Sequence, residues 1–228
     1  MKLGITQRSM RQLDIIPEHK LADLGYVMVI GVGAIGRQVA IQAASLGVRK
    51  LALVDFDTVE PVNLATQGYY EDDLGKPKVT VTANICEKLN QDIKVLHTQS
   101  RFEDLDGVPN FDVVFCCVDS IDARLTIWQK VRKIKKLWVD GRMLGETMRV
   151  LTTDGNNDRY YRSTIFPGRE AEKGRCTARA TIYTSNIIAG LMLSQFNRWL
   201  REEPFQADIM FNLTAMDMFF PHLTTAAA

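Results

Sequence analysis

The chain has 228 residues, of which 46% are hydrophobic and 24% charged, and this composition suits a globular protein with a sizeable core. The formal net charge of +1, without any long run of like charges, argues against a nucleic-acid partner. The apolar stretches are too short to span a membrane, and the N-terminal segment lacks the apolar centre of a signal peptide. We therefore expect a cytoplasmic protein with no membrane partner.

The first half of the chain alternates strand-like and helix-like segments. Residues 26–31 (YVMVIG) and 50–57 (KLALVDFD) predict buried strands, and the segment between them has apolar residues at helical spacing up to Gly47. The alternation continues with a helix over 77–90, a strand at 93–98, a strand at 111–119, a helix over 121–134 and a strand at 137–141. This order predicts a Rossmann-like α/β fold with a doubly wound, mostly parallel sheet.

The pattern changes after residue 140. Residues 147–165 (TMRVLTTDGNNDRYYRSTI) are interpreted as two strands around a polar, glycine-containing turn. One long amphipathic helix is expected from about 180 to 202. The second half is therefore predicted to extend the parallel sheet with antiparallel strands.

A glycine-rich turn, VIGVGAIGRQVA, joins the first predicted strand to its helix. Gly31 allows the tight turn, Gly33 lets the backbone approach a phosphate, and Gly36 permits close packing of helix against strand. Asp55 ends the second strand 19 residues after Gly36, where an acidic residue can accept hydrogen bonds from ribose hydroxyls. These features predict a nucleotide site but leave NAD and ATP equally open.

The stretch VDFDTVEPVNLATQGYYEDDLGKPKV, residues 54–79, distinguishes the two nucleotides. It combines a strand-end Asp, D-x-V, a version of N-L-x-R-Q, and G-x-P-K, all after G-x-G-x-x-G. In this combination the chain resembles the ThiF and MoeB family of adenylyltransferases, which includes ubiquitin-activating enzymes. The resemblance extends from RQLDIIP near the start to the long helix at 180–202, and nicotinamide dehydrogenases have no reason to carry these motifs.

The resemblance implies a role for several polar residues. It makes Asp55 the ribose ligand, Asn63 and Gln67 polar groups of the nucleotide and phosphate region, and Lys78 the cation on the triphosphate. Asp119, at the carboxyl end of a strand, falls on the family's magnesium-associated aspartate. ATP and Mg²⁺ are the implied cofactors, because a carboxylate can attack the α-phosphate only when the like charges are neutralised.

The chain departs from the family pattern where Thr66 replaces the arginine of N-L-x-R-Q. Threonine cannot offer a planar cationic fork to phosphate, so either another arginine takes over or activity has been lost. Arg37 lies near the start of the helix after the glycine loop, and Arg11 resembles an N-terminal arginine that this family lends across a dimer interface. Both also fit solvated surface positions, as do Lys76 and Asp57.

Four cysteines occur without any C-x-x-C pair, which argues against a structural zinc site. Cys176 precedes the long helix, where ThiF and some compact ubiquitin-like-activating enzymes carry a reactive cysteine, whereas MoeB-type members have one there without a thioester. Arg175 and Arg179 flank Cys176 and favour its thiolate. The other three are expected to be small buried hydrophobes: Cys86, Cys116 and Cys117.

The resemblance implies an enzyme that adenylates the C-terminal carboxylate of a small ubiquitin-like or sulfur-carrier protein ending in Gly-Gly. We expect a single domain over 1–228, with an N-terminal helical segment (1–25), a nucleotide-binding half (26–140) and a carrier-binding and dimerisation half (141–228). A homodimer is expected, with the long helix and the late strands at its interface. Two alternatives stay open, namely an inactive nucleotide-binding dimerisation partner and a nicotinamide-dependent oxidoreductase.

Overall fold

The computed structural model describes residues 8–105, 110–166 and 180–222. The strands in these ranges are β1 (Tyr26–Ile30), β2 (Lys50–Val54), β3 (Lys94–Thr98), β4 (Phe111–Cys116), β5 (Leu137–Leu144), β6 (Thr147–Thr153), β7 (Asp208–Asn212) and β8 (Asp217–His222). The helices in these ranges are α1 (Glu18–Asp23), α2 (Ala34–Leu46), α3 (Pro61–Gln67), α4 (Lys78–Leu89), α5 (Ile121–Val131), α6 (Asp158–Ser163) and α7 (Ile182–Leu200).

All eight strands form one sheet in the order β3-β2-β1-β4-β5-β6-β7-β8. The pairs β3–β2, β2–β1, β1–β4 and β4–β5 are parallel. The pairs β5–β6, β6–β7 and β7–β8 are antiparallel. The predicted fold class, a doubly wound parallel sheet extended by antiparallel strands, is confirmed.

Helices cover both faces of the parallel part of the sheet. One face of the central strands packs against α2, α4 and α7, and the other packs against α5 and α6. Strand β1 shows the division, because Val27 and Val29 belong to one core cluster and Met28 and Ile30 to the other. Burial from both sides explains the continuous apolar runs that predicted these strands.

Helix α2 ends where the sequence predicts. Gly47 caps it in the left-handed conformation at φ +107°, and its N–H donates to carbonyls of the last turn.

The prediction of a second strand within residues 147–165 is wrong. Strand β6 is followed by helix α6 and not by a strand. Strand β6 instead pairs with β5, which precedes it and is joined to it through a tight turn. Tyr161 of α6 is buried with its ring centre 4.5 Å from that of Trp128 and 5.4 Å from that of Trp138. Aromatic packing therefore overrides the local strand-like pattern.

The predicted long helix is α7, and its buried side belongs to the chain's own core. Ile188, Ala189, Met192 and Phe196 of α7 lie in the same cluster as β1 and α2. The apolar side of this helix, which the sequence analysis assigned to an interface, is thus largely covered within the chain. None of the helices in the described ranges is long and apolar enough to cross a membrane.

Candidate active site

The candidate site lies at the carboxyl ends of β1, β2 and β4. The connections from β1 lead outward to β2 and β3 on one side, whereas β4 and β5 lie on the other. Parallel sheets bind ligands at such a reversal of strand order, because the adjacent loops separate there and leave a crevice. The glycine loop follows β1 at this point.

The glycine loop is tightly packed except at one position. Gly31 adopts φ +84°, and a Cβ there would lie 2.9 Å from the backbone of Cys117 and Val118. A Cβ on Gly36 would collide with the carbonyl oxygen of Gly31. By contrast, the nearest atom to a Cβ on Gly33 would be a side-chain oxygen 3.9 Å away. Gly33 is therefore where a phosphate can approach the loop closely.

Asp55 holds the glycine loop through its carboxylate. Its Oδ2 accepts a hydrogen bond from the Val32 N–H at 2.5 Å, and its Oδ1 accepts one from the Asp57 N–H at 2.8 Å. Burial raises the pKa of Asp55, while these backbone hydrogen bonds act in the opposite direction. Each carboxylate oxygen has two lone pairs, so a ribose hydroxyl can still donate to this group.

Lys78 is the first residue of α4, and its Nζ lies 2.9 Å from Oδ2 of Asp57. The side chain of Lys78 is only 6% exposed, whereas that of Asp57 is 45% exposed. Asp57 is therefore an ion-pair partner, and the expectation of a merely solvated charge is wrong. A phosphate at Lys78 would have to share the ammonium group with Asp57.

Helix α3 positions the two predicted polar contacts. Asn63 is buried, and its Oδ1 accepts the Glu60 N–H at 2.9 Å in the capping box that starts the helix. Gln67, at the other end, has a buried Oε1 without a hydrogen-bond partner in the part of the chain that the structure describes. This amide faces Gly33. Rotation of the amide group presents its NH₂ instead, which is the donor that a phosphate requires.

The position of the missing arginine is half-buried. Thr66 lies on α3, and its hydroxyl donates to the Val62 carbonyl at 3.0 Å within the helix. Arg37, in contrast, is only 2% exposed. The interpretation of Arg37 as a solvated surface residue is therefore wrong.

Asp119 and Arg11 are both exposed. Asp119 follows β4 at the edge of the sheet where the glycine loop lies. The described residues contain no group of three or more His, Cys, Asp or Glu side chains able to hold a metal. A single carboxylate nevertheless fits Mg²⁺, which is commonly held by one or two carboxylates, substrate phosphates and water. Cys176 and its flanking arginines fall outside the described residues.

The other cysteines match their predicted role as packing residues. Cys86 and Cys116 are fully buried, and burial raises the pKa of each thiol to about 12. Cys117 is partly buried against the main core cluster, and burial also raises its pKa well above the ordinary value. None of these thiols supplies a thiolate at neutral pH.

A buried ionic cluster beside the site was missed by the sequence analysis. Asp140 in β5 accepts hydrogen bonds from Nε of Arg124 and Nε of Arg142, each at 2.8 Å, and from the Tyr161 hydroxyl at 3.1 Å. Burial by itself would raise the pKa of Asp140, but the two arginines hold it below its ordinary value. Arg142 also donates to the Thr164 carbonyl at 2.9 Å. A charged residue inside the apolar run LWVDG was the available signal, since such a residue needs a buried partner.

A comparison with known families covers nearly the whole chain. Residues 7–227 match the family described as the ThiF family. The chain belongs to the ThiF family.

Individual ThiF-type relatives are distant. The chain is 28% identical over 147 residues to ubiquitin-like modifier-activating enzyme 5 of Culex quinquefasciatus, covering 58% of this chain and 37% of that protein. It is 30% identical over 145 residues to adenylyltransferase and sulfurtransferase MOCS3-1 of Zea mays, covering 62% of this chain and 31% of that protein. The matched segment thus corresponds to about a third of each relative.

A solved structure shows the same fold over nearly the whole chain. The crystal structure of E. coli MccB with succinimide superimposes with a TM-score of 0.75 at 19% identity, covering 93% of this chain and 70% of MccB. At this identity the likeness concerns the fold.

Proposed function

We propose that this protein uses ATP and Mg²⁺ to adenylate the C-terminal carboxylate of a small ubiquitin-like or sulfur-carrier protein. The observation that carries the proposal is the open space at Gly33. This residue belongs to the loop that Asp55 holds, and it faces the unpartnered amide oxygen of Gln67. Membership of the ThiF family supports ATP over NAD as the nucleotide. The relatives named as adenylyltransferases and activating enzymes supply the class of reaction.

In this proposal each residue acts on charge or position. Asp55 accepts from the ribose, and Lys78 lies at the start of α4 to neutralise the triphosphate. Asp119 would hold Mg²⁺, which when bound draws charge from the phosphate oxygens. No general base is needed, because the attacking carboxylate is already ionised at neutral pH. The new bond joins a carboxylate oxygen to the α-phosphorus, and pyrophosphate leaves.

We further propose that the half over 141–228 receives the carrier and forms a homodimer in the cytoplasm. Large apolar side chains are exposed at the N-terminal turns and on the edge strand β8: Met10, Leu13, Ile15, Met218, Phe219 and Phe220. Arg11 lies among the first group and is exposed, as a residue shared across an interface must be in the separate chain. Sedimentation at micromolar concentration tests the dimer, and a monomer contradicts both the dimer and the role of Arg11.

ATP–pyrophosphate exchange tests the activity. The chain should exchange radiolabelled pyrophosphate into ATP only with a carrier that ends in Gly-Gly. A carrier truncated by its two terminal glycines is the matched control, since it keeps the fold but moves the carboxylate. Exchange without a carrier, or tight NAD binding without ATP binding, contradicts the proposal.

One observation favours a second function. Thr66 is half-buried, and its hydroxyl donates to a carbonyl of its own helix, so position 66 brings no cation to the phosphates. A nucleotide-binding dimerisation partner without its own catalysis is therefore the alternative. ATP binding without exchange, tested with several Gly-Gly carriers, would favour this alternative.

A covalent role of Cys176 is a separate proposal within the leading function. A Cys176 thiolate that attacks the adenylate forms a thioester and releases AMP, and the acyl persulfide would form in the same way only if a separate sulfur donor had first converted the thiol to a persulfide. Cys176→Ala should leave pyrophosphate exchange intact and remove any thiol-sensitive carrier adduct on a non-reducing gel. An adduct that persists in the variant places the nucleophile elsewhere, and no adduct in the wild type indicates an enzyme that stops at the adenylate.

A further inference from the structure

Arg37 is a buried arginine directly behind the glycine loop. It belongs to the first turns of α2, and it is only 2% exposed. One NH₂ group donates to the Gly68 carbonyl at 2.7 Å, and the other lies 3.3 Å from Oγ1 of Thr82. These contacts connect α2 with the end of α3 and with α4.

Tyr69 links this arginine to the glycine loop itself. The guanidinium carbon of Arg37 lies 4.1 Å from the centre of the Tyr69 ring. The Tyr69 hydroxyl donates to the Val32 carbonyl at 2.8 Å, inside the loop. Gly68, whose carbonyl Arg37 holds, directly follows Gln67, the residue with the unpartnered amide oxygen near Gly33. Tyr69 thus connects the guanidinium group of Arg37 to the loop that a phosphate can approach.

The charge of Arg37 has no direct ion-pair partner within the described part of the chain. No carboxylate of residues 8–105, 110–166 or 180–222 lies within ion-pair distance of its guanidinium, and its Nε is buried without a hydrogen-bond partner there. Burial lowers the pKa of Arg37, while the Asp73 carboxylate raises it from beyond ion-pair distance, and arginine stays protonated. A buried cation without a counterion is costly, and an anion bound at the adjacent loop would supply the missing charge.

We infer that Arg37 is a positioning residue that provides, from behind the glycine loop, the positive charge that Thr66 no longer brings to the triphosphate. The inference rests on the proposed use of ATP. Arg37 acts through the loop and through Gln67 and does not touch the nucleotide. A purely structural arginine would support the loop equally for every adenosine nucleotide, whereas a buried charge favours the nucleotide with more phosphates.

A nucleotide series separates these two roles. The affinities of ATP, ADP and AMP are measured by calorimetry in the presence of Mg²⁺ for the wild type and for Arg37→Met. We expect the ratio of ATP affinity to AMP affinity to fall about tenfold in the variant, while AMP affinity changes by less than about twofold. Arg37→Gln is measured in parallel, because it keeps an amide donor for the Gly68 carbonyl should Met fail to fold.

Two further variants test the charge itself. Arg37→Lys keeps the positive charge without the planar fork, so its ATP-to-AMP ratio should stay near that of the wild type. Thr66→Arg, added to Arg37→Met, restores a cation at a half-buried position of α3 and should recover most of the ratio. Tyr69→Phe is the matched control, since it removes the hydroxyl that supports Val32 and leaves the guanidinium in place.

The outcomes distinguish the inference from the proposed function. If the wild type prefers ATP and both neutral variants weaken ATP, ADP and AMP equally, Arg37 is structural and the inference is overturned. The same conclusion follows if Arg37→Lys loses the ratio as fully as Arg37→Met. A wild type that binds none of the three nucleotides overturns the proposed function, and the inference with it.

Discussion

Buried charges in the half built on β5 to β8 are paired within the chain. Asp140 lies between Arg124 and Arg142. Asp208 in β7 accepts two hydrogen bonds from Arg149, at 3.0 Å and 2.6 Å. Each of these carboxylates is fully buried, and each has an arginine as its partner. Such pairs need no ligand to be stable.

The region around the glycine loop is arranged differently. There the described residues leave Arg37 without a carboxylate partner, and the Asp55 carboxylate binds backbone N–H groups. Under the proposed function, a phosphate of the nucleotide would complete the charge balance at this place. Compensated clusters should therefore matter for stability, and the groups of the loop for nucleotide chemistry.

Asp140→Asn should have the largest effect, and it should act on stability. The substitution leaves Arg124 and Arg142 buried with a neutral partner, which typically costs about 3–5 kcal/mol of the free energy of unfolding. Urea denaturation at pH 7 measures the loss. A loss below about 1 kcal/mol would mean that the cluster is not the stabilising element of this half.

The pH dependence of this loss serves as its control. The folded-state pKa of Asp140 is lowered, so the stabilisation is complete above the unfolded-state pKa of about 4 and is lost as pH falls through the folded-state value. The difference between wild type and Asp140→Asn should therefore be full at pH 7 and shrink below about pH 4. A difference that grows on acidification would contradict this assignment.

Asp119→Asn and Lys78→Met should each lower the rate of pyrophosphate exchange. Removing one group that stabilises charge in the transition state typically lowers the rate about 100- to 1,000-fold, and we expect this in pyrophosphate exchange. Unfolding of Asp119→Asn should be unchanged, since the residue is exposed. Lys78 is buried, so methionine is chosen to keep its packing volume, while the half-exposed Asp57 stays hydrated.

Lys76→Met is the matched control for Lys78→Met. Lys76 is exposed two residues away and lies outside the ion pair with Asp57. The Lys76→Met variant should keep the full rate of pyrophosphate exchange. Equal losses in both variants would indicate a general effect of charge and would contradict the specific role of Lys78.

Two glycine variants separate stability from binding within the loop. Gly36→Ala places a Cβ against the Gly31 carbonyl, and we expect it to cost about 1–3 kcal/mol in unfolding. Gly33→Ala meets no atom closer than 3.9 Å at a φ of −83°, so stability should change by less than about 1 kcal/mol. Its methyl group occupies the path of the phosphate, and calorimetry should show that ATP affinity is lost. Unchanged ATP affinity in Gly33→Ala would contradict the placement of a phosphate at Gly33.

Tyr160→Phe should have the smallest effect. The Tyr160 hydroxyl donates to Oδ2 of Asp208 at 2.6 Å, but Arg149 keeps the carboxylate paired when this bond is lost. We expect a loss of about 1 kcal/mol in urea denaturation and no change in exchange. Tyr183→Phe, at an exposed position, is the control with a loss below about 0.5 kcal/mol. A large loss in Tyr160→Phe would mean that Asp208 is not adequately paired by Arg149.

Local pattern was sufficient for the parallel half of the fold. Continuous apolar runs predicted β1, β2, β4 and β5 because these strands are covered on both faces, and Gly47 marked the end of α2 because only glycine adopts its backbone angles easily. The spacing of the glycine loop, Asp55 and the motifs over 54–79 indicated the family. These signals lie in residues close together in sequence.

The sequence by itself therefore determined the fold class, the glycine loop and the family, whereas tertiary packing decided the state of the charges. Helix α6 replaced a predicted strand because Tyr161 finds Trp128 and Trp138, which come from distant parts of the chain. The sequence did not decide whether Arg37 is buried or which arginines pair with Asp140, because burial and the presence of a counter-charge depend on neighbours far along the chain. The pKa of a charged group and its effect on stability depend on its surroundings, and these surroundings are set by the fold.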